Sequence, residues 1–303
     1  MLLIFVPSVQ LTGASIDGSN WWNTEYNTTE GKDFWVTFMR NGGGDESDKE
    51  NMSFYVYVAS RSLAHVTFTN PNTSYTQSLI VNPGNQDFVK IPLSEAYMQE
   101  SDDRFRGIHI TSDANISVYI TNHKQGFFDG TNVLPTPALL KEYVIQTYMA
   151  DIDATEFAIV ATKNNQRVDI SIKKTWINKD LIDNDIYQED SVKYEALTLT
   201  LNRGETYLYR SRHPQASLSG TKICSQDPIA VFQGCQDSYI PTNTNSHNHL
   251  FSQAYPIDRW GKHFVVTPTK FEICDYVRIT AYEDNTIIKR DNNVLVVLNA
   301  LET

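Results

Sequence analysis

The alternation of apolar and polar residues along the chain predicts β-strands rather than helices. Residues 54–58 and 116–120 both alternate, with Phe54, Val56 and Val58 on one side of the first segment and Ile116, Val118 and Ile120 on one side of the second. A period of two residues is typical of a strand with one buried face. Helical signal is confined to single turns at residues 93–98 and 136–143. The pattern therefore predicts an all-β fold of antiparallel strands.

Several segments recur along the chain in the same order. GKDFWVT (31–37) returns as GKHFVVT (261–267), with a weaker copy, LKEYVIQ (140–146), between them. GIHITSDANISVYI (107–120) matches GTKICSQDPIAVFQ (220–233) without a gap, and LTLNRGET (199–206) matches VVLNALET (296–303). A period of about 110–120 residues is close to the size of one β-sandwich module.

The repeats predict a tandem array of antiparallel β-sandwich-like modules. We expect a first repeat at 31–138, a second at 139–259 and a third, incomplete repeat at 260–303. Consecutive modules packed end to end are the first expectation, and a closed assembly that shares strands between repeats is the alternative. The insertion at 173–195 is polar and predicts a long hairpin or a surface loop.

Within each repeat, a short apolar segment enters a polar turn and a second apolar segment follows. The three examples are residues 56–68, 159–170 and 279–290. A strand, a short polar turn and a returning strand is the sequence signature of a β-hairpin. Each repeat is therefore expected to contain at least one hairpin.

The first residues predict export. Residues 1–14 resemble a signal peptide, with Thr12 and Ala14 at positions that suit cleavage, although no basic residue precedes the apolar run. Residues 15–30 then form a lead-in to the first repeat. The alternative is a buried N-terminal strand. No apolar stretch approaches the length of a membrane span, so we expect an extracellular or cell-surface location without a membrane-spanning segment.

Charge argues against a nucleic-acid partner. The formal net charge is −11 and no run of Lys and Arg occurs. Nucleic-acid-binding surfaces carry a basic stripe that neutralises phosphates. We therefore expect an extracellular protein or glycan as the ligand.

Known catalytic motifs are absent from the sequence. It contains no GxSxG nucleophile elbow, HExxH zinc motif, P-loop or GxGxxG dinucleotide fingerprint. We therefore predict a protein that is not an enzyme and that needs no cofactor.

The sequence contains two weak metal patterns, and neither predicts a metal site. His247 and His249 are two residues apart, so on a strand they would face the same way, with Asp237 or Cys235 as a third ligand. The alternative for both histidines is hydrogen bonding within a loop. The acidic residues at 45–50 could offer oxygens to calcium, but their spacing fits no EF-hand loop. The two histidines are kept as candidate binding residues.

Trp176 is the third candidate binding residue. It lies in the polar insertion of the second repeat, where an exposed indole could contact a ligand. Trp35 and Trp260 instead lie in the recurring motifs at the repeat boundaries, which favours a role in packing between modules.

The recurring motifs resemble the N-terminal domain family of IgG Fc-binding protein. The residues that carry the resemblance are GKDFWVTF (31–38), TNVLPTPALLKEY (131–143), FAIVATKNN (157–165), DPIAVFQGC (227–235) and the stretch from His249 to WGKHFVVTP (260–268). The opening GKDFWVTFM is similar to the bacterial branch of that family. The resemblance implies an exported, β-rich interaction module without catalytic residues.

The motif residues are expected to be structural. They are Gly31, Phe34, Trp35, Pro135, Gln253, Pro256, Trp260, Gly261 and Phe264. The family tends to carry a cysteine just before His249, where this chain has His247. The pairing of Cys224, Cys235 and Cys274 therefore stays open.

The sequence supports three functional hypotheses. The first is a non-catalytic extracellular binding or adhesion module of a larger surface protein, with host glycoprotein, mucin or immunoglobulin as candidate ligands. The second is a carbohydrate-binding or carbohydrate-active domain, and the third is a structural spacer. A large exposed apolar or aromatic surface would favour the binding module over the spacer.

Overall fold

The protein is built from antiparallel β-strands, which confirms the predicted all-β class. The computed structural model describes residues 28–42, 51–150, 152–177, 189–211, 216–240, 247–266 and 276–303, without the side chains of 152, 153, 176, 177 and 189–191. The signal-like segment 1–14 and most of the lead-in lie outside these ranges. The described helices are α1 (Leu93–Ala96) and two 3-10 turns, Thr136–Ala138 and Ile257–Arg259. In these ranges no helix is long and apolar enough to cross a membrane.

One seven-stranded sheet forms the first unit of the molecule. Its strands are β1 (Glu30–Val36), β2 (Met52–Ser60), β3 (Ala64–Thr69), β4 (Thr76–Val81), β5 (Gln86–Ile91), β6 (Ile108–Lys124) and β7 (Phe127–Val133). The beginning of β6 pairs with β1 and β3, and its end pairs with β2 and β7. The long strand β6 therefore joins two groups of strands, β4-β3-β6-β1 and β5-β2-β6-β7.

The second unit repeats this arrangement as two separate sheets. Its strands are β8 (Glu142–Val144), β9 (Ile152–Ala161), β10 (Gln166–Ile177), β11 (Glu189–Leu201), β12 (Thr206–Arg210), β13 (Ala216–Ser217), β14 (Lys222–Ser225), β15 (Ile229–Tyr239) and β16 (His247–Gln253). One sheet has the order β11-β10-β14-β8, with β13 also on β10, and the other has the order β12-β9-β15-β16. Thus β14 and β15 occupy the places of the two ends of β6.

The expected hairpins at 56–68 and 159–170 are wrong. Strands β2 and β3 are both bonded to β6 rather than to each other, and β9 and β10 lie in different sheets. The polar turns therefore connect strands that do not pair with each other. A hairpin and a connection between unpaired strands can both show alternating strands and a polar turn. The local sequence therefore did not specify the pairing partner. The insertion does form a long hairpin, because β10 pairs with β11 along its length.

The sheet β12-β9-β15-β16 is the middle layer of the molecule. Along β9, Ala158 and Val160 belong to the core shared with the first unit, whereas Phe157 and Ile159 belong to the core of the second unit. Both faces of this sheet are therefore buried, which explains the unbroken apolar run FAIVA in β9. The two units meet through this sheet face rather than only at their ends.

A C-terminal segment, residues 276–303, packs against the second unit. It contains the two-stranded sheet of β17 (Thr286–Arg290) and β18 (Asn293–Leu298). A turn follows in which the Glu302 N–H donates to the Asn299 carbonyl, as the Glu205 N–H donates to the Asn202 carbonyl. The central residues Gly204 and Leu301 both have positive φ, 78° and 64°. The turns after β11 and β18 thus have the same geometry.

Candidate functional site

An aromatic surface covers the outer side of strands β5, β2 and β6. We define this aromatic face by Tyr55, Tyr57, Phe88 and Tyr119. Tyr57 lies directly opposite Phe88 on β5 and opposite Tyr119 on β6, so the three side chains share one side of the sheet. Phe88 is 50% exposed and Tyr119 is 48% exposed. A contiguous exposed patch of this kind is typical of an interaction site.

The rings of this face contact one another. The centroid of the Phe88 ring lies 5.5 Å from those of both Tyr55 and Tyr57, and the Lys90 ammonium lies 6.0 Å from the centroid of Tyr55. Edge-to-face and tilted pairs at this separation are favourable. The face is therefore a preorganised platform, held by its own contacts before any partner arrives.

A groove of about 370 Å³ adjoins the aromatic face at Tyr119. It runs between β7 and β16 and includes the segment 146–148 of the second unit. Its walls are dominated by aromatic and polar side chains, namely Tyr119, Asp129, Asn132, Gln146, Tyr148, Gln233, Gln253, Tyr255 and Arg278. A volume of this size is at the lower end of the range for small-molecule sites.

Side chains rather than a backbone ladder join β7 to β16 beside the groove. The Phe251 N–H donates to Asp129 Oδ2 at 2.8 Å, and the Gln253 N–H donates to Thr131 Oγ1 at 3.3 Å. In the other direction, the Leu134 N–H donates to Gln253 Oε1 at 2.6 Å. These bonds fix the two strands at a separation that leaves the groove open.

One group on β7 and one on β16 have shifted pKa values. Burial raises the pKa of the Asp129 carboxyl to about 6, against the lowering effect of the N–H donors of Phe251 and Gly130. Burial lowers the pKa of His249 to about 4. His249 therefore stays neutral at pH 7, with Nδ1 bonded to the Cys235 carbonyl and Nε2 facing the Asn122 amide at 3.1 Å.

Gln253 is a buried polar residue with unused hydrogen-bonding capacity. It is 3% exposed and its Oε1 is held by the Leu134 N–H. Among the residues that the structure describes, no protein group bonds its buried Nε2. A buried amide nitrogen without a partner costs free energy.

The two candidate histidines make separate contacts, and the side chain of the third candidate, Trp176, lies outside the described residues. His247 lies on β16 with its Nδ1 2.7 Å from both carboxylate oxygens of Asp237, whereas His249, two residues on, is buried in the network with Cys235. Trp176 lies on β10 opposite Ala216, and its side chain is outside the described part of the chain. Neither histidine lines the groove.

The described residues contain no candidate metal site and no disulfide. Within the described ranges, no three His, Cys, Asp or Glu side chains gather in a way that could hold a metal ion. Cys224 and Cys235 are free thiols there, and burial raises the pKa of both. Cys274 and the acidic residues 45–50 lie outside the described residues.

The motif residues near the first unit lie in its packed interior. Gly31 lies against Pro135, which precedes the 3-10 turn at Thr136–Ala138, and Phe34 is fully buried. The Trp35 ring stacks on the His109 ring at 4.1 Å, and the Arg203 guanidinium of the second unit lies 5.0 Å from its centroid. Trp35 thus contacts both units.

Of the later motif residues, Trp260, Gly261 and Phe264 are more exposed, whereas Pro256 is buried. Pro256 precedes the turn at Ile257–Arg259, and the Trp260 indole N–H donates to the Tyr255 carbonyl at 3.0 Å. Gly261 is half-buried, and Phe264 is 56% exposed. Gln253 differs from the rest, because it lines the groove and also bonds the first unit through Leu134.

Sequence reasoning missed the aromatic face and most of the groove. The alternating tyrosines of β2 were visible as the outer side of a strand, but the opposing Phe88 and Tyr119 come from strands up to about sixty positions away. Only strand pairing brings these rings into one row. Gln253 was the one motif residue named individually that lines the groove, although the motif stretches 131–143 and 227–235 also contain the groove residues Asn132 and Gln233.

Comparison with known proteins identifies one family. The family model described as IgGFc binding protein matches residues 129–302, which is more than half of the chain. The match includes β7 from Asp129 onward, β16 and most of the groove lining, whereas Tyr119 and the other residues of the aromatic face precede it. No curated protein matches the chain.

Proposed function

Because the chain belongs to the IgGFc binding protein family, we propose that it is a non-catalytic extracellular binding module whose aromatic face docks a protein partner. Family membership supports a binding role, since this is a family of binding domains. Candidate partners are immunoglobulin Fc, mucin and other host glycoproteins. The opening GKDFWVTFM favours the bacterial branch, and the signal-like segment 1–14 favours export to the cell surface or beyond.

One observation carries the proposal. In the second unit, Leu208, Ala158 and Phe232 form a cross-strand row on β12, β9 and β15. All three are 0% exposed because the first unit packs on them. Phe88, Tyr57 and Tyr119 form the equivalent row on β5, β2 and β6 of the first unit. There Phe88 and Tyr119 stay about half exposed.

The aromatic face is therefore the counterpart of a surface that already binds a folded β-sheet unit in this molecule. Its shape and pleat suit another protein surface, and its tyrosines offer both apolar area and hydroxyl groups. A spacer would gain nothing from exposing these rings, because exposed aromatic area invites association. We also propose that the chain divides into repeats at 31–138, 139–259 and 260–303.

The test is a binding assay with the 303-residue chain against immobilised immunoglobulin Fc, mucin and matrix glycoproteins. We expect saturable binding to one of these classes and a loss of about tenfold or more in affinity for the double variant Tyr57→Ser/Phe88→Ser, a change of at least about 1.4 kcal/mol. The matched control is Tyr194→Ser, because Tyr194 is 65% exposed on β11, outside the aromatic face. An unchanged affinity in the double variant, or no binding by the folded chain, contradicts the proposal.

A further inference from the structure

The groove beside the aromatic face combines aromatic rings with amide side chains. Three tyrosines, Tyr119, Tyr148 and Tyr255, line it together with the amide side chains of Asn132, Gln233 and Gln253. Rings supply flat apolar area, and amides supply donors and acceptors in fixed positions. This combination suits a ligand with one apolar face and a rim of hydroxyl groups.

The amides of the groove are held in place before any ligand is present. Asn132 Oδ1 accepts the Tyr255 hydroxyl at 3.2 Å, and Gln233 Oε1 accepts the Gln146 N–H at 2.8 Å. Gln253 Oε1 accepts the Leu134 N–H, and its buried Nε2 lacks a partner among the described residues. Preorganised polar groups reduce the entropy lost when a ligand binds.

An extended peptide is a poor occupant of this groove. Peptides that add to a sheet need a free strand edge with open N–H and C=O groups. Here the N–H groups of Phe251 and Gln253 on β16 are already bonded to the Asp129 and Thr131 side chains of β7. Side-chain recognition of a compact ligand is the remaining mode.

We propose that the groove binds a single neutral saccharide ring of a glycoprotein glycan. This inference rests on the proposed function and deepens it, since the protein part of the same partner would lie on the adjoining aromatic face. Tyr119 belongs to both surfaces and would pack against the sugar ring. The hydroxyl groups would form hydrogen bonds with Asn132 and Gln233.

Charge in the groove favours a neutral ring over an acidic one. The Asp129 carboxyl lines the groove and would repel a second carboxylate when it is ionised. Arg278 also lines the groove, but its guanidinium lies 5.5 Å from the Tyr148 ring centroid and donates to Ser217 Oγ at 3.4 Å. The cation is thus engaged with protein groups at the edge of the site.

The test uses saturation-transfer NMR on the full chain with the methyl glycosides of galactose, N-acetylglucosamine, N-acetylgalactosamine and glucuronic acid. We expect transfer to at least one neutral glycoside and none to the glucuronide. Asn132→Ala should abolish the transfer, because it removes an amide of the groove, whereas Phe88→Ser, which changes only the aromatic face, should preserve it. Thermal unfolding of both variants verifies that each is folded.

A second arm separates this inference from the proposed function. Binding of the glycoprotein partner is measured before and after enzymatic removal of its glycans. Weaker binding after deglycosylation, together with the same loss in Asn132→Ala, supports the saccharide site. Unchanged binding after deglycosylation, with no transfer to any neutral glycoside, overturns the saccharide site and leaves the aromatic face as the binding surface. Absence of glycoprotein binding in both states overturns the proposed function itself.

Discussion

Gly107 packs so closely against Gly204 that a Cβ on Gly107 would lie 2.5 Å from the Gly204 carbonyl oxygen. Gly107 precedes β6 in the first unit, and Gly204 lies in the turn after β11 in the second. The same contact recurs one unit later, where a Cβ on Gly220 would lie 2.6 Å from the Leu301 carbonyl oxygen. The turn of each unit thus docks on a glycine of the unit before it.

We expect Gly107→Ala to destabilise the protein by about 1–3 kcal/mol, because the added methyl group overpacks a contact made of backbone atoms. The Val160 side chain, 2.9 Å from the same position, leaves little room for a shift. Urea unfolding measures the loss. Gly84→Ala is the control, since nothing lies within 4 Å there and only its positive φ adds a cost of about 1 kcal/mol.

Arg203→Ala should weaken the contact between the two units. The Arg203 guanidinium lies over the Trp35 ring and its Nη2 is 3.0 Å from Nδ1 of His109. Loss of both interactions should cost about 1 kcal/mol, since the Trp35 ring is buried but Arg203 itself is exposed. Thermal unfolding of Arg203→Ala and of the exposed control Arg167→Ala provides the comparison, and equal melting temperatures would refute the role of Arg203.

The buried charge pair Arg210 and Glu156 should tolerate joint replacement better than single replacement. Arg210 Nε lies 3.5 Å from Glu156 Oε2, and Glu156 is 0% exposed. Arg210→Met would leave the buried carboxylate without this cation, at a cost of about 3–5 kcal/mol. The double variant Arg210→Met/Glu156→Gln should regain a large part of that stability in urea unfolding, whereas additive losses would exclude the coupling.

The stability of the protein should respond to pH through two opposing groups. The pKa of His249 is lowered to about 4 in the folded protein, so the unfolded chain binds its proton more tightly and stability falls as pH drops from about 6.5 to 4. The pKa of Asp129 is raised to about 6 from 3.8, so stability falls as pH rises from about 4 to 6. The two slopes oppose each other in the same window.

His249→Gln should expose the Asp129 slope. A glutamine can donate to the Cys235 carbonyl and accept from Asn122, but it does not titrate. The difference in unfolding free energy between pH 7 and pH 4.5 should therefore decrease by about 2–3 kcal/mol relative to the parent chain. Urea unfolding at the two pH values measures this difference. An unchanged difference would mean that His249 is not the group that lowers stability at acidic pH.

Much of the local structure was predictable from sequence, because strand alternation is a local property. The buried sides of β2 and of the end of β6 agree with the alternation of Phe54, Val56, Ile116 and Val118. The choice of pairing partner was not predictable in this way. Strands β2 and β3 follow one another along the chain, yet both pair with β6, because closing a core between two layers buries more apolar surface than a hairpin alone.

The candidate site was likewise predictable from sequence only in part. The tyrosines of β2 were visible, but the groove combines Tyr119, Gln146, Gln233 and Gln253, which only tertiary packing places together. The candidate histidines were chosen for spacing along a strand, and the structure gives them to separate hydrogen bonds, His247 to Asp237 and His249 to Cys235. Spacing identifies a shared side of a strand, whereas burial decides which groups can meet a ligand.

The contact between a glycine and the turn of the next unit joins two different surfaces, so it has a direction and no built-in end. Head-to-tail contacts of this kind close into a ring only when the rotation per unit permits, and otherwise extend in a line. Each added unit would present the same glycine to its successor and the same turn to its predecessor. A longer array could therefore arise by tandem duplication of one module, because every added unit would use the same interface.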